Sequence, residues 1–202
     1  MKASNIVTNL VVAAGLVAAG TIAWAPATLA AKGPSIDFSS DSKIWLEGDS
    51  TLHPYKSTSS KFEIKAALTN PKPQDASLSD LTVEIPVKSL KSGEGPLDTN
   101  LYKTMEASKY PTIKFNMSNA KVKVSNSGDV DVTAEGVLNI HGQEKTIEVT
   151  ADGKLSGNTV RLKGKKSILM SDFGVKAPVL MFGAIKCTDK ITVGFDLVGE
   201  LK

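Results

Sequence analysis

Apolar and polar residues alternate over most of the chain. In 112–118, Ile113, Phe115 and Met117 fall on one side, and Thr112, Lys114, Asn116 and Ser118 on the other. Successive side chains of a strand point to opposite faces, so this spacing predicts a strand with one dry and one wet face. The same period returns in Ile44, Leu46 and Gly48, in Phe62, Ile64 and Ala66, and in Leu81, Val83, Ile85 and Val87. A longer apolar face runs through Val130, Val132, Ala134, Gly136, Leu138 and Ile140, followed by Ile147, Val149 and Ala151. The last set is Ile191, Val193, Phe195 and Leu197. Ser125 to Asp129, His141-Gly142 and Ser156-Gly157-Asn158 read as turns between these runs. Pro86 has no N–H to donate, so its strand lies at an edge or is bulged there.

Two segments break the rhythm. Leu97, Leu101 and Met105 recur every four residues, which predicts one short helix over about 98–109. Asp98 is placed to cap its start, Leu97 and Tyr102 to form a hydrophobic staple, and Pro111 ends it by Tyr110. The second segment, 173–183, reads FGVKAPVLMFG and is predicted as an apolar loop or helical turn over one end of the sheet.

Helical patterns are too few to cover the apolar strand faces, so those faces must cover one another, across a sandwich or inside a closed barrel. Closure also removes exposed edges. The expected class is therefore all-β and antiparallel. A barrel of about eight strands is either plugged by side chains or holds one small ligand. Small inward residues such as Ala66, Ala134 and Gly136 leave room or accommodate large neighbours; periodicity alone leaves both open.

The N-terminus carries a different signal. Lys2 precedes an uncharged, apolar run from Ile6 to Trp24, and small residues follow to Ala31. This predicts a secretory signal over 1–30, cleaved after Ala27 or Ala30, with a retained membrane anchor as the alternative. A linker over 31–40 and a single domain over 41–202 complete the expected organisation. The mature protein is then exported, periplasmic or secreted. The net charge of +3 is scattered, with no basic run for nucleic acid. Cys187 is the only cysteine, so no internal disulfide or thiolate metal cluster forms within one chain. Its expected role is that of a small, partly buried apolar residue.

Catalytic chemistry is sparse. The two histidines, His53 and His141, lack a partner at metal-ligand spacing. His141 reads as a turn residue, and His53, held extended by Pro54, as a structural histidine. Asp172 reads as an anchor for the apolar loop. No GxSxG elbow or phosphate loop is present. No metal or cofactor is expected.

Several motifs stand in a telling order. Ser50-Thr51-Leu52-His53 follows the first strand. Leu97 to Tyr110, LDTNLYKTMEASKY, runs into Pro111 to Phe115. Gly136 to Gly142 precedes a lysine and a threonine, and Ser171-Asp172-Phe173-Gly174 precedes Ile191 to Leu197. In this order they resemble the YceI-like family of exported bacterial proteins, over residues 40 to 202. The resemblance implies an antiparallel lipocalin-like β-barrel holding an isoprenoid chain, polyprenyl or quinone-like, in an elongated apolar cavity. The family's helical motif usually carries an Arg-Asp-x-His-Leu-like run; here 98–102 reads Asp-Thr-Asn-Leu-Tyr.

The expected function is a noncatalytic carrier or reservoir for an isoprenoid-type lipid. Its expected wall is Phe62, Ile64, Phe115, Met117, Leu138, Ile140, Val193 and Phe195. Phe173, Leu180, Met181 and Phe182 are expected to line or cover the mouth, Leu101 and Met105 to roof an end, and His53 and Asp172 to give the mouth its polar groups. Peripheral or transient membrane contact and a homodimer are compatible with this. The rival is an envelope stress-response or protein-interaction module with a filled barrel. An enzyme acting on a lipid, with His53, Asp172 or His141, is the least supported reading because no nucleophile–base pair is visible.

Overall fold

A computed structural model describes residues 34–69 and 77–202. The expected signal segment, 1–30, lies outside them. The described strands are β1 (Ser35–Phe38), β2 (Lys43–Ser50), β3 (Tyr55–Ser59), β4 (Glu63–Leu68), β5 (Leu78–Pro86), β6 (Thr112–Val124), β7 (Asp129–Ile140), β8 (Gln143–Ser156), β9 (Thr159–Leu169), β10 (Val179–Leu180) and β11 (Ile185–Leu201). One helix, α1, spans Gly95–Thr104.

Every named pairing is antiparallel, and the sheet closes on itself. The circuit runs β1–β4–β5–β6–β7–β8–β9–β11 and returns to β1, which pairs with both β4 (Ile36↔Ala66) and β11 (Ile36↔Leu201). Eight strands thus form the expected antiparallel barrel, in which every strand has a paired neighbour on each side. β2 occupies the next length of β11, from Lys43↔Asp196 to Ser50↔Cys187, and carries β3 as a hairpin. The turn between β7 and β8 has positive φ at both His141 (54°) and Gly142 (75°). That matches the primed two-residue hairpin, whose twist suits the strands it joins.

β1 falls inside the segment expected as a linker. Ser35-Ile36-Asp37-Phe38 is too short for its alternation to stand out, yet Ile36 and Phe38 turn inward and the strand closes the barrel. The inward phase also changes within strands. The β6–β7 ladder shifts between Met117 and Asn119, so inward residues are odd-numbered before it (Ile113, Phe115) and even-numbered after it (Val122, Val124). One extra residue in a strand moves its apolar set to the other parity, and the bulge corrects for that.

The helix begins three residues before its expected start. Pro96 opens the first turn, where its missing N–H costs nothing. Asp98 does not cap the helix. Its Oδ1 accepts from the Ser92 N–H and hydroxyl, both at 2.8 Å, and ties the preceding loop to the helix. With Glu94 at the N-cap, the staple positions fall on Gly93 and Asp98, so Leu97 and Tyr102 form no staple; the Tyr102 hydroxyl donates to the carbonyls of Leu90 (2.8 Å) and Lys88 (3.1 Å).

Apolar clusters gather at the two ends of the barrel. At one end Val130, Val132 and Val160 pack with Ile36, Leu78, Val122, Val124, Leu155 and Leu201. At the other, Val87, Met105, Leu138, Ile140, Met170 and Phe173 pack with Leu101 and Tyr102 of α1.

Candidate binding cavity

Between these two clusters the barrel is hollow. A cavity of about 280 Å³ runs through it, far above the roughly 10–15 Å³ that one water needs. Exposure along the inner wall agrees. Phe173 and Val87, in one end cluster, are buried, whereas Ile64, Phe115, Ile147, Val149, Ile191, Val193 and Phe195 face inward yet remain half-buried. A side chain on the dry face of a closed sheet keeps accessible surface only when nothing packs against its tip.

Glycines explain how a wall with phenylalanines stays open. The Phe115 ring lies against Gly136, where a β-carbon would stand 2.6 Å from its Cζ. The Phe195 ring lies against its cross-strand partner Gly164, where a β-carbon would stand 2.9 Å from Cε1. Each ring folds along the wall into the space its neighbour vacates instead of crossing the lumen. Tyr55 uses Gly48 in the same way.

The wall is almost wholly carbon, and burial holds two of its titratable groups neutral. Tyr55 and Cys187 both line the cavity. Burial pushes the Tyr55 phenol up to about 12, with Cys187 as a lesser cause. Burial likewise raises the Cys187 thiol above its ordinary value, so at neutral pH it is an inert, partly buried thiol.

Ten of the expected lipid-contact residues line this cavity: Ile64, Leu101, Met105, Phe115, Leu138, Ile140, Phe173, Leu180, Val193 and Phe195. Six of the expected site residues do not. Phe62 precedes β4, in a turn where the Ser59 hydroxyl accepts from the Lys61 N–H, so strand phase does not reach it. Met117 sits at the β6 bulge opposite Gly136, whose inner side the Phe115 ring already occupies. Met181 and Phe182 point to solvent instead of over the mouth. Both have positive φ, 51° and 53°, which turns the chain outward after Leu180.

The polar pair expected at the mouth is also displaced. His53 is exposed in the β2–β3 turn, with Nδ1 2.8 Å from the Pro54 carbonyl. Asp172 is exposed, and the anchoring expected of it falls to Asp189, whose carboxylate accepts from the Ser171 N–H at 2.8 Å. His141 is a turn residue as expected, half-buried, with its ring tilted at 55° against Tyr110, 4.3 Å between centroids, and Nε2 3.2 Å from the Glu106 carboxylate. Among the described residues no cluster of three or more His, Cys, Asp or Glu side chains is arranged to hold a metal.

The sequence reading missed several wall residues, including Ile36, Tyr55, Ile147, Val149 and Lys166. Ile147 and Val149 were visible in their alternation. Lys166 was not, because a lysine on an inward position contradicts the pattern that locates the wall.

Comparison with known proteins places this geometry. The family model described as YceI-like domain matches residues 35–199. A comparison with curated proteins finds no match. Among solved structures, Burkholderia cenocepacia BcnA is 22% identical, with a TM-score of 0.64 over 80% of this chain and 99% of its own. A polyisoprenoid binding domain from Saccharophagus degradans, implicated in plant cell wall breakdown, is 14% identical, with a TM-score of 0.64 over 84% of this chain and 99% of its own. A Campylobacter jejuni YceI protein is 20% identical, with a TM-score of 0.55 over 70% of this chain and 81% of its own. At these identities the likeness concerns the fold.

Proposed function

The chain belongs to the YceI-like domain family, and on that premise we propose that it is a noncatalytic carrier or reservoir enclosing an isoprenoid-type lipid, polyprenyl or quinone-like. The observation that carries this reading is the lumen itself: a cavity of about 280 Å³ whose wall is nearly all carbon. Each CH₂ transferred from water into such a space contributes about 0.8 kcal/mol, so a long chain binds without a polar site. The polyisoprenoid-binding domain with the same fold supports the ligand class. In this reading the lipid is a cargo and not a cofactor.

The N-terminal apolar run, 6–24, supports export to the periplasm or beyond. Peripheral, transient contact with a membrane would then load the barrel. Val179, Met181 and Phe182, exposed beside the wall residue Leu180, suit that contact. The rival, an interaction module with a filled barrel, is disfavoured by the open lumen.

The test is solvent extraction and mass spectrometry of the mature protein purified from its own host. A stoichiometric isoprenoid lipid is expected. Recovery of protein without any lipid would overturn the carrier reading.

A further inference from the structure

β8 and β9 are paired over only part of their length. Their ladder runs from Ser156↔Thr159 to Asp152↔Lys163 and extends no further among the described residues. β8 continues back to Gln143 and β9 on to Leu169, each held on its other edge, by β7 and β11 respectively. The strands therefore part above Gly164, whose missing side chain lets it approach the Thr150 carbonyl. Contact resumes where Gly174, after the 3₁₀ turn Ser171–Phe173, comes against Gln143. Between these two points no ladder pair joins β8 to β9 among the described residues, and this unpaired stretch is a window in the hydrogen-bonded wall. Its rims carry backbone N–H and C=O groups with no ladder partner across the gap.

Lys166 stands on the inner face beside this window. Inward positions on β9 are Val160, Leu162, Gly164, Lys166 and Ile168, and Lys166 pairs with the inward Val193. It is half-buried, and of the residues lining the cavity it alone is charged. The outward cations of the same strand are paired: Arg161 and Lys163 with Asp196, and Lys165 with Glu47. Lys166 has no hydrogen bond or ion pair among the described residues. The cavity surface is almost all carbon, so the aliphatic stem, and not the ammonium, forms wall. A cation without a partner, where packing alone favours a leucine or valine, breaks the pattern that the rest of the wall obeys. Such breaks concentrate at functional positions.

We propose that the β8–β9 window holds the polar head of the enclosed lipid, and that Lys166 contacts it as the cation for an anionic phosphate. The ligand class is thereby a prenyl phosphate, with its chain along the lumen and its head at the side of the barrel. An ammonium at the edge of a dry cavity forms charge-assisted hydrogen bonds with phosphate oxygens, and the free backbone N–H groups of the rims add donors. This inference rests on the carrier reading but has its own test.

Equilibrium binding of geranylgeranyl monophosphate, geranylgeraniol and the saturated C20 hydrocarbon phytane is measured with the wild-type mature protein, Lys166→Met and Lys166→Arg. Lys166→Met keeps the unbranched stem and removes the charge. The expected result is at least a tenfold loss for the phosphate with Lys166→Met, little change for the alcohol and hydrocarbon, and substantial retention by Lys166→Arg. An unchanged phosphate affinity in Lys166→Met overturns the inference. So does an equal loss for all three probes, which marks a structural role. In both cases hydrocarbon binding by the wild type leaves the carrier reading standing. A wild type that binds none of the three overturns that reading and this inference together.

Discussion

Phe195 and Gly164 are cross-strand partners on β11 and β9, and the ring fills the volume that a side chain at 164 would need. The same relation joins Phe115 to Gly136. These pairs set the bore of the barrel, because an aromatic ring lying along the wall leaves the axis free.

Gly164→Ala is therefore expected to destabilise the protein although it adds only one methyl. The new carbon meets the Thr150 carbonyl as well as the Phe195 ring, and backbone yields less readily than a side chain. Overpacking of this kind costs about 1–3 kcal/mol. Thermal unfolding reads it directly: an unchanged Tm would mean that the ring moves freely and that the pair does not set the bore.

Filling the lumen has the opposite signature. Ile147 faces the cavity and is half-buried. Ile147→Trp adds bulk where there is space, so the usual overpacking cost does not arise. The melting temperature is expected to hold or rise while lipid capacity falls. A variant that melts early with lipid capacity intact would show that the space around 147 is not the binding space.

Asp98 makes part of the stability dependent on acid. Hydrogen bonds from Ser92, chiefly its backbone N–H, hold the Asp98 carboxyl below its ordinary 3.8 against the opposing effect of burial; Lys91 adds to the lowering. A carboxylate with a lowered folded value contributes fully above the unfolded value and loses that contribution as pH falls through the folded one. Asp98→Ala is expected to cost about 1.5–3 kcal/mol at neutral pH, the range for hydrogen bonds to a charged group. The gap between wild type and variant should close once the pH falls well below 3.8. Melting curves across that range decide it; a gap that is constant with pH would assign the effect to packing.

Phe182 offers a separation of stability from delivery. Its side chain is fully exposed and its φ is 53°. A glycine adopts that backbone readily. Phe182→Gly should leave Tm unchanged or slightly raised, because no packing is lost. Uptake of prenyl lipid from vesicles should slow if the ring touches the membrane. Equal uptake rates for variant and wild type would remove Phe182 from the loading step.

Much of the barrel was legible because a closed, one-face-dry sheet writes its period into every strand. The inward residues of β7, Val130 to Ile140, obey it without a break. Legibility failed where geometry departs from a regular ladder. Met117 followed the period, but the bulge and the Phe115 ring removed it from the wall. Phe62 followed it too, one residue before β4 begins. Met181 and Phe182 are apolar and next to Leu180, yet positive φ angles turn them out. Asp98 looked like a cap because local sequence shows a helix start and not the loop that Ser92 brings back to it. Whether the lumen is open lay beyond alternation, which fixes the direction of a side chain and not what meets it.

The most direct test is a crystal structure of the mature protein purified from its own host. The account predicts continuous, chain-like density along the lumen, in contact with Ile64, Phe115 and Val193 and ending in a head group beside Lys166. A lumen closed by the protein's own side chains, with those three residues packed tip to tip, would contradict it.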